Sequence, residues 1–115
     1  MPTLYKILPA SLWHEAERAG RFRGSAIDIK DGFIHFSTAA QVKETAARHF
    51  AGQDNLLLVS VDSDTLGVAL KWEPSRGGAL FPHLYGDLTL AAVRKVELLP
   101  LGPQGRHTFP PLDAI

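Results

Sequence analysis

The sequence predicts an α+β fold, on three observations. Apolar residues alternate in strand-length runs over residues 4–8, 33–37 and 68–73, while two capped segments, 11–20 and 39–50, carry apolar residues at helical spacing. At 115 residues, 45% hydrophobic and 21% charged, the chain suits one core, so residues 1–115 are taken as a single domain with a loosely packed tail from about residue 102. It contains no internal repeat and no low-complexity segment.

Residues 4–8 form a first strand ended by Pro9, with Leu4, Lys6 and Leu8 on one face and Tyr5 and Ile7 on the other. A helix follows from Ser11 as N-cap, through Leu12, Ala16 and Ala19, to Gly20 at the C′ position. Residues 21–30 have weak periodicity and read as a long loop carrying Arg21, Arg23 and Asp28 to an Asp31-Gly32 turn. The next strand sets Phe33, His35 and Ser37 on one face and Ile34 and Phe36 on the other. Thr38-x-x-Gln41 is a capping box, so a second helix starts where this strand ends. That helix turns Ala39, Val42, Ala46 and Phe50 to the core and closes at Gly52.

The nearly continuous apolar run 56–61 predicts a central strand buried on both faces. After a turn at Asp62-Ser63-Asp64, residues 68–73 alternate with Val68, Leu70 and Trp72 inward and Lys71 and Glu73 outward. Trp13 and Trp72 are both assigned to the core. Residues 74–78 make a flexible turn before Phe81-Pro82-His83-Leu84-Tyr85-Gly86, and Leu90, Val93, Val96 and Leu98 support a last turn and strand. The tail's prolines and glycines predict loose packing.

Twelve basic and twelve acidic residues leave a net charge of zero, so no overall field draws the chain to a nucleic-acid backbone or an anionic membrane. Without cysteine there is no disulfide framework, thiolate metal site or cysteine nucleophile. No leader and no apolar span of membrane length is read, and a cytoplasmic protein is expected; the oligomeric state is left open.

His14, His49 and His107 are read as surface residues. His35 and His83 sit in apolar, aromatic settings, where a buried ring nitrogen needs a partner. A core histidine bonded to a carbonyl is the plain reading of either alone. Two of them, each followed two residues on by a hydroxyl in Ser37 or Tyr85, line one cleft if their strands are neighbours. The helix N-terminus beside Ser37 would add an anion-holding end. A Ser-His-Asp hydrolase would draw on Ser37, a histidine and Asp28 or Asp31, but no G-x-S-x-G elbow surrounds Ser37 and His35 points parallel to it. The histidine spacings place no metal ligands on one helix face, so no metal is assigned. Glu73 is the carboxylate best placed for electrostatic work. Phe33, Phe81 and Tyr85 offer ring surfaces, as does Trp13.

The two stretches, Asp31-Gly32-Phe33-Ile34-His35-x-Ser37-Thr38-x-x-Gln41 and Phe81-Pro82-His83-x-Tyr85-Gly86, together with Glu73, resemble domain of unknown function 952, over about residues 5–99. The resemblance implies a fold similar to the ADP-ribosyltransferases: a small split mixed sheet with two helices and a nicotinamide dinucleotide cleft, with NAD as the cofactor. By that similarity Lys6 stands on the first cleft strand where such transferases hold the cofactor. Ser37 and Thr38 match the hydroxyls of their second motif. The strand that carries the catalytic glutamate corresponds to residues 81–87, where His83 and Tyr85 stand instead and Glu73 is the substitute.

The expectations are therefore His35, His83 and Glu73 as catalytic groups, and Lys6, Ser37, Thr38, Gln41, Phe81 and Tyr85 as substrate-binding groups. The ligand would be NAD, ADP-ribose or another nucleotide. The alternative is a non-catalytic small-ligand binding or interaction domain.

Overall fold

In the structure, a computed structural model that describes residues 3–112, the elements run β1 (Thr3–Pro9), α1 (Ala10–Ala19), β2 (Arg21–Phe22), α2 (Ala26–Asp31), β3 (Ile34–His35), α3 (Val42–His49), β4 (Leu56–Asp62), β5 (Leu70–Pro74), β6 (Leu80–Leu84), β7 (Leu88–Thr89) and β8 (Val93–Leu99). They make a mixed α and β fold with three small sheets, ordered β1-β4-β8, β2-β7 and β3-β6-β5. Every ladder among the described strands is antiparallel, which corrects the expected mixed sheet.

The run read as buried on both faces is β4, central between β1 and β8. Its alternation divides the core in two, with Leu57, Val59 and Val61 on one side and Leu56 and Leu58 on the other. β1 follows the expected split. Leu4 and Leu8 join the first cluster, with Trp13, Phe22, Ile34 and Leu88, while Tyr5 and Ile7 join the second, against Val42 and Ala46 of α3. Burying one such leucine or valine contributes about 1.5–3 kcal/mol, so both faces of this sheet hold the fold.

Several expectations change. α1 begins one residue before Ser11, so Pro9 takes the N-cap position without a side-chain bond. The buried stripe is Trp13 and Ala16, and Ala19 is exposed. The presumed loop 21–30 holds β2 and α2. Ser25 and Asp28 form a capping box at the start of α2, and Gly32 closes it in the left-handed region at φ 88°. Six residues are too few to display a helical period, although the Ser-x-x-Asp cap was visible. α3 starts at Val42 after a turn. Gln41 reaches back to the Thr38 N–H at 3.0 Å, but the Thr38 hydroxyl makes no cap bond.

Val68 is 97% exposed, because residues 63–69 coil as 3-10 turns with Gly67 at φ 62°, and the strand starts only at Leu70. Trp72, also assigned to the core, is 41% exposed on the edge strand β5. The tail is tied back at its described end. Leu101 bridges to His107, His107 meets the Gln53 carbonyl at 2.7 Å, and Phe109 and Leu112 pack on the second cluster. Among the described residues no helix is long and apolar enough to cross a membrane.

Candidate functional site

β1 and the end of the β3 stretch meet at a single bridge, where the Tyr5 N–H donates to the Ser37 carbonyl at 2.8 Å and the Ser37 N–H to the Tyr5 carbonyl at 2.9 Å. That bridge links the three-stranded sheets β1-β4-β8 and β3-β6-β5. On β3-β6-β5 the register sets His35 opposite His83, Lys71 opposite His83 and Glu73 opposite Phe81. Directly opposed residues share a face, so the two histidines are true neighbours, with ring centroids 5.5 Å apart. Between the elements opens a cleft of about 910 Å³, and Lys6, His35, Ser37, Phe81 and His83 all line it. Thr38, Gln41, Glu73 and Tyr85 are not among the lining residues.

His83 is buried. Its Nδ1 lies 2.8 Å from Glu73 Oε1, and the same oxygen accepts from the Tyr85 hydroxyl at 2.8 Å. The hydrogen bond from His83, then that from Tyr85, hold the Glu73 carboxyl below its ordinary value, so it is an anion that only accepts. The Tyr85 hydroxyl is pushed up by the same bond. Nδ1 of His83 therefore carries the proton, and Nε2 has no partner among the described residues. Nor is Nε2 an enclosed orphan. Among the described residues only the indole nitrogen of Trp13 is both enclosed and unpartnered, and His83 itself lines the cleft. Phe33 stacks on the His83 ring with centroids 4.1 Å apart.

His35 is held differently. Its Nδ1 is 2.6 Å from Asp28 Oδ1 and its Nε2 is 2.9 Å from Asp31 Oδ2, which engages both nitrogens with carboxylates. Asp28 is the hub. It is 1% exposed and takes Lys6 Nζ at 2.9 Å on each oxygen, the Ser25 N–H at 2.8 Å and the His35 N–H at 3.1 Å. Burial pushes this carboxyl up, but the His35 bond and the Lys6 charge and bond outweigh it and hold it well below the usual carboxylate range. Burial lowers the Lys6 ammonium from its ordinary value, and Asp28 offsets part of that fall. Gly24 makes room for the hub. At φ +122° a Cβ there would stand 2.8 Å from Asp28 Cβ.

Lys6 thus faces the cleft but is paired with Asp28 rather than left for a ligand. The Ser37 hydroxyl meets Thr45 Oγ1 at 2.8 Å, so no histidine engages it and the serine-hydrolase arrangement is not assembled, although His35 does sit between Asp28 and Asp31. Gln41 bonds Thr38 and the Leu80 carbonyl, a structural duty. Tyr85 is 42% exposed and serves Glu73. Glu73 reaches His83 from the neighbouring strand, outside the cleft wall. Among the described residues no group of three His, Cys, Asp or Glu is arranged to hold a metal. Sequence reading underrated Asp28, whose only signal was the Ser25 cap. Thr45 carried no signal, because its role depends on a hydroxyl eight residues away.

The family described as protein of unknown function (DUF952) matches residues 7–96. A crystal structure of protein CC0527 from Caulobacter crescentus is 49% identical, with 92% of this chain and 93% of that chain covered and a TM-score of 0.90. The solution NMR structure of the same protein is 50% identical, with 92% and 91% covered and a TM-score of 0.83. A crystallised double methionine variant is 48% identical, with 92% and 93% covered and a TM-score of 0.89. No curated protein matches this chain.

Proposed function

We propose a function from the cleft itself, because the chain belongs to the DUF952 family and that family's description names no activity. The cleft binds a small ring-bearing ligand, and His83, oriented by Glu73, moves a proton on it. One observation carries this reading: a buried histidine whose Nδ1–H is fixed by a carboxylate and whose Nε2 is unpartnered beside a cleft of ligand size. Glu73 fixes the tautomer and stabilises the imidazolium that forms when Nε2 takes a proton.

The ligand class implied by the resemblance is a nucleotide such as NAD or ADP-ribose, in an ADP-ribosyltransferase-like split fold. Two features support it. Among the described residues β1 and the stretch after β3 are joined by the Tyr5–Ser37 bridge, and Glu73, one strand away, stands in for the carboxylate expected on the strand of residues 81–87. The fold part of this reading is analogy. A second reading, a binding or interaction domain without turnover, is favoured by His35, whose two carboxylate partners give it a structural task.

Thermal unfolding with NAD, ADP-ribose and nucleotide phosphates tests both, on the unaltered chain and on His83→Gln. A ligand at a hundred times its Kd stabilises by about 2.7 kcal/mol. Stabilisation with turnover that His83→Gln abolishes is expected. Stabilisation without turnover selects the second reading, and no stabilisation by any of them removes the nucleotide class.

A further inference from the structure

We propose that the outer edge of β8 is an interaction surface for a second copy of this chain, which adds to it antiparallel about a two-fold axis through Val96. The proposal is independent of the cleft and its ligand.

β8 is an edge strand. In the sheet β1-β4-β8 it pairs with β4 alone among the described residues, whereas β1, at the opposite edge, is bridged to Ser37. A strand in that position presents a row of unpaired N–H and C=O groups that a further strand can satisfy. It also exposes apolar surface. Val96 and Leu98 share one face of β8, and Leu98 is 73% exposed although Leu57 and Val59, the β4 residues opposite the pair, are buried. The apolar face of the sheet thus runs past the last strand that is covered.

The charges on β8 say which strand fits. When a two-fold pair continues a sheet, the axis stands perpendicular to it and every residue keeps its face. Directly opposed residues share a face, so the axis has to pass through a residue of the strand, and the same patch meets itself. Arg94 has no register partner on β4, where the ladder shifts, and the straight part of β8 runs from Lys95 to Leu99. Few registers are left. Centred on Lys95 or on Glu97, the axis sets like charges against each other, which destabilises a ladder. Centred on Leu98 or Leu99, it draws Pro100 into the ladder, and proline has no N–H to give.

Centred on Val96, it sets Lys95 against Glu97 of the second copy at both ends, with Val96 against its own counterpart. Neither Lys95 nor Glu97 has an ion-pair partner among the described residues, so both are free for this contact. Leu98 then comes beside Arg94 of the second copy, whose aliphatic stem covers apolar surface. Two three-stranded sheets become one of six strands, inside the usual range. Both clefts stay open, because they lie along β1, at the outer ends of the joined sheet.

Sedimentation equilibrium of the full chain, from micromolar to millimolar concentration, is expected to show monomer and dimer in exchange. Lys95→Glu opposes two carboxylates at each end of the ladder and should weaken the dimer at least about tenfold. Glu97→Lys should do the same with two ammonium groups. An equimolar mixture of the two variants regains an opposite-charge contact at each end and should return the dimer that neither variant forms alone. Amide exchange of the unaltered chain is expected to slow along residues 94–98 as its concentration rises.

A chain that stays monomeric throughout overturns the proposal. A dimer indifferent to both variants overturns it as well, as does a mixture that remains monomeric. If a variant fails to fold, the mass and the amide exchange of the unaltered chain still decide: a dimer that protects β8 supports the proposal, and one that protects another surface overturns it.

Discussion

Asp28→Asn is the substitution that most directly tests how this site is held. The change keeps the shape of the side chain and removes its charge. Asp28 is 1% exposed and accepts from Lys6, from both nitrogen positions of His35, backbone and ring, and from the Ser25 N–H. An asparagine keeps one accepting oxygen and turns an NH₂ toward donors that need an acceptor. It also leaves the Lys6 ammonium uncompensated at 7% exposure. Breaking a buried pair from one side costs about 3–5 kcal/mol, a large share of the roughly 5–15 kcal/mol that holds a domain together. Lys6→Met is milder, about 1–3 kcal/mol, because Asp28 keeps His35 and Ser25.

The double variant Lys6→Met/Asp28→Asn separates this account from simple packing loss. With no stranded ammonium it should be more stable than Asp28→Asn alone, a coupling of about 1–3 kcal/mol. Urea unfolding at pH 7, with the slope checked for constancy, measures all three. Asp28→Asn costing under about 1 kcal/mol, or a double variant equal to the sum of the singles, would refute the hub.

Acid unfolding adds an independent reading of the same group. In the folded chain Asp28 titrates well below its ordinary value of 3.8, so the unfolded state binds more protons as pH falls through 3.8. Its contribution is therefore complete above the unfolded value and is lost progressively below it, toward the folded value. Asp28→Asn should flatten that part of the stability profile.

Gly24→Ala should destabilise by about 1–3 kcal/mol through positive φ and the crowding of Asp28 Cβ. Gly32→Ala, with nothing within 4 Å, is expected to cost only the backbone part, about 1 kcal/mol; urea midpoints check the order. His35→Gln should lower stability by about 1–3 kcal/mol in the same assay, since its ring bonds to Asp28 and Asp31 cannot both be kept. Trp13→Phe is expected to cost little, within about 1 kcal/mol, because it removes a buried indole N–H that has no partner among the described residues. Tyr85→Phe should raise the Glu73 carboxyl toward its ordinary value, read from the side-chain carbon shift in a pH titration, with little effect on unfolding.

The parts of the fold legible in sequence are those long enough to show a period. β1 alternates and its two faces went to the expected sides of the sheet, while β4 was legible as a nearly continuous apolar run buried on both faces. α1 and α3 were recognisable from apolar spacing and, for α1, from Gly20 in the left-handed region. What escaped was short or edge-bound. β2 and β3 have two residues each, and α2 has six, so none completes a pattern. Val68 mimicked the inward position of a strand, but Gly67 breaks the extended backbone just before it. Trp72 kept its strand and lost its burial, because an edge strand has fewer neighbours to cover a large ring.

The candidate site was half legible for the same reason. His35 and His83 could be singled out in advance, since each lies in a short apolar run with a hydroxyl two residues on, but whether their strands were neighbours could not be read. The carboxylate of His83 could not be read either, because Glu73 lies 10 residues away on another strand, and Asp28, although only 7 residues from His35, stands on a helix too short to show a period. Those carboxylates set how each ring is held. Two of them around His35 make it a strut between α2 and β3, whereas one on Nδ1 of His83 leaves Nε2 available. Identical side chains in similar sequence settings, directly opposed across one ladder, thereby acquire different roles. The difference follows from which carboxylates the third dimension brings within 3 Å of each ring.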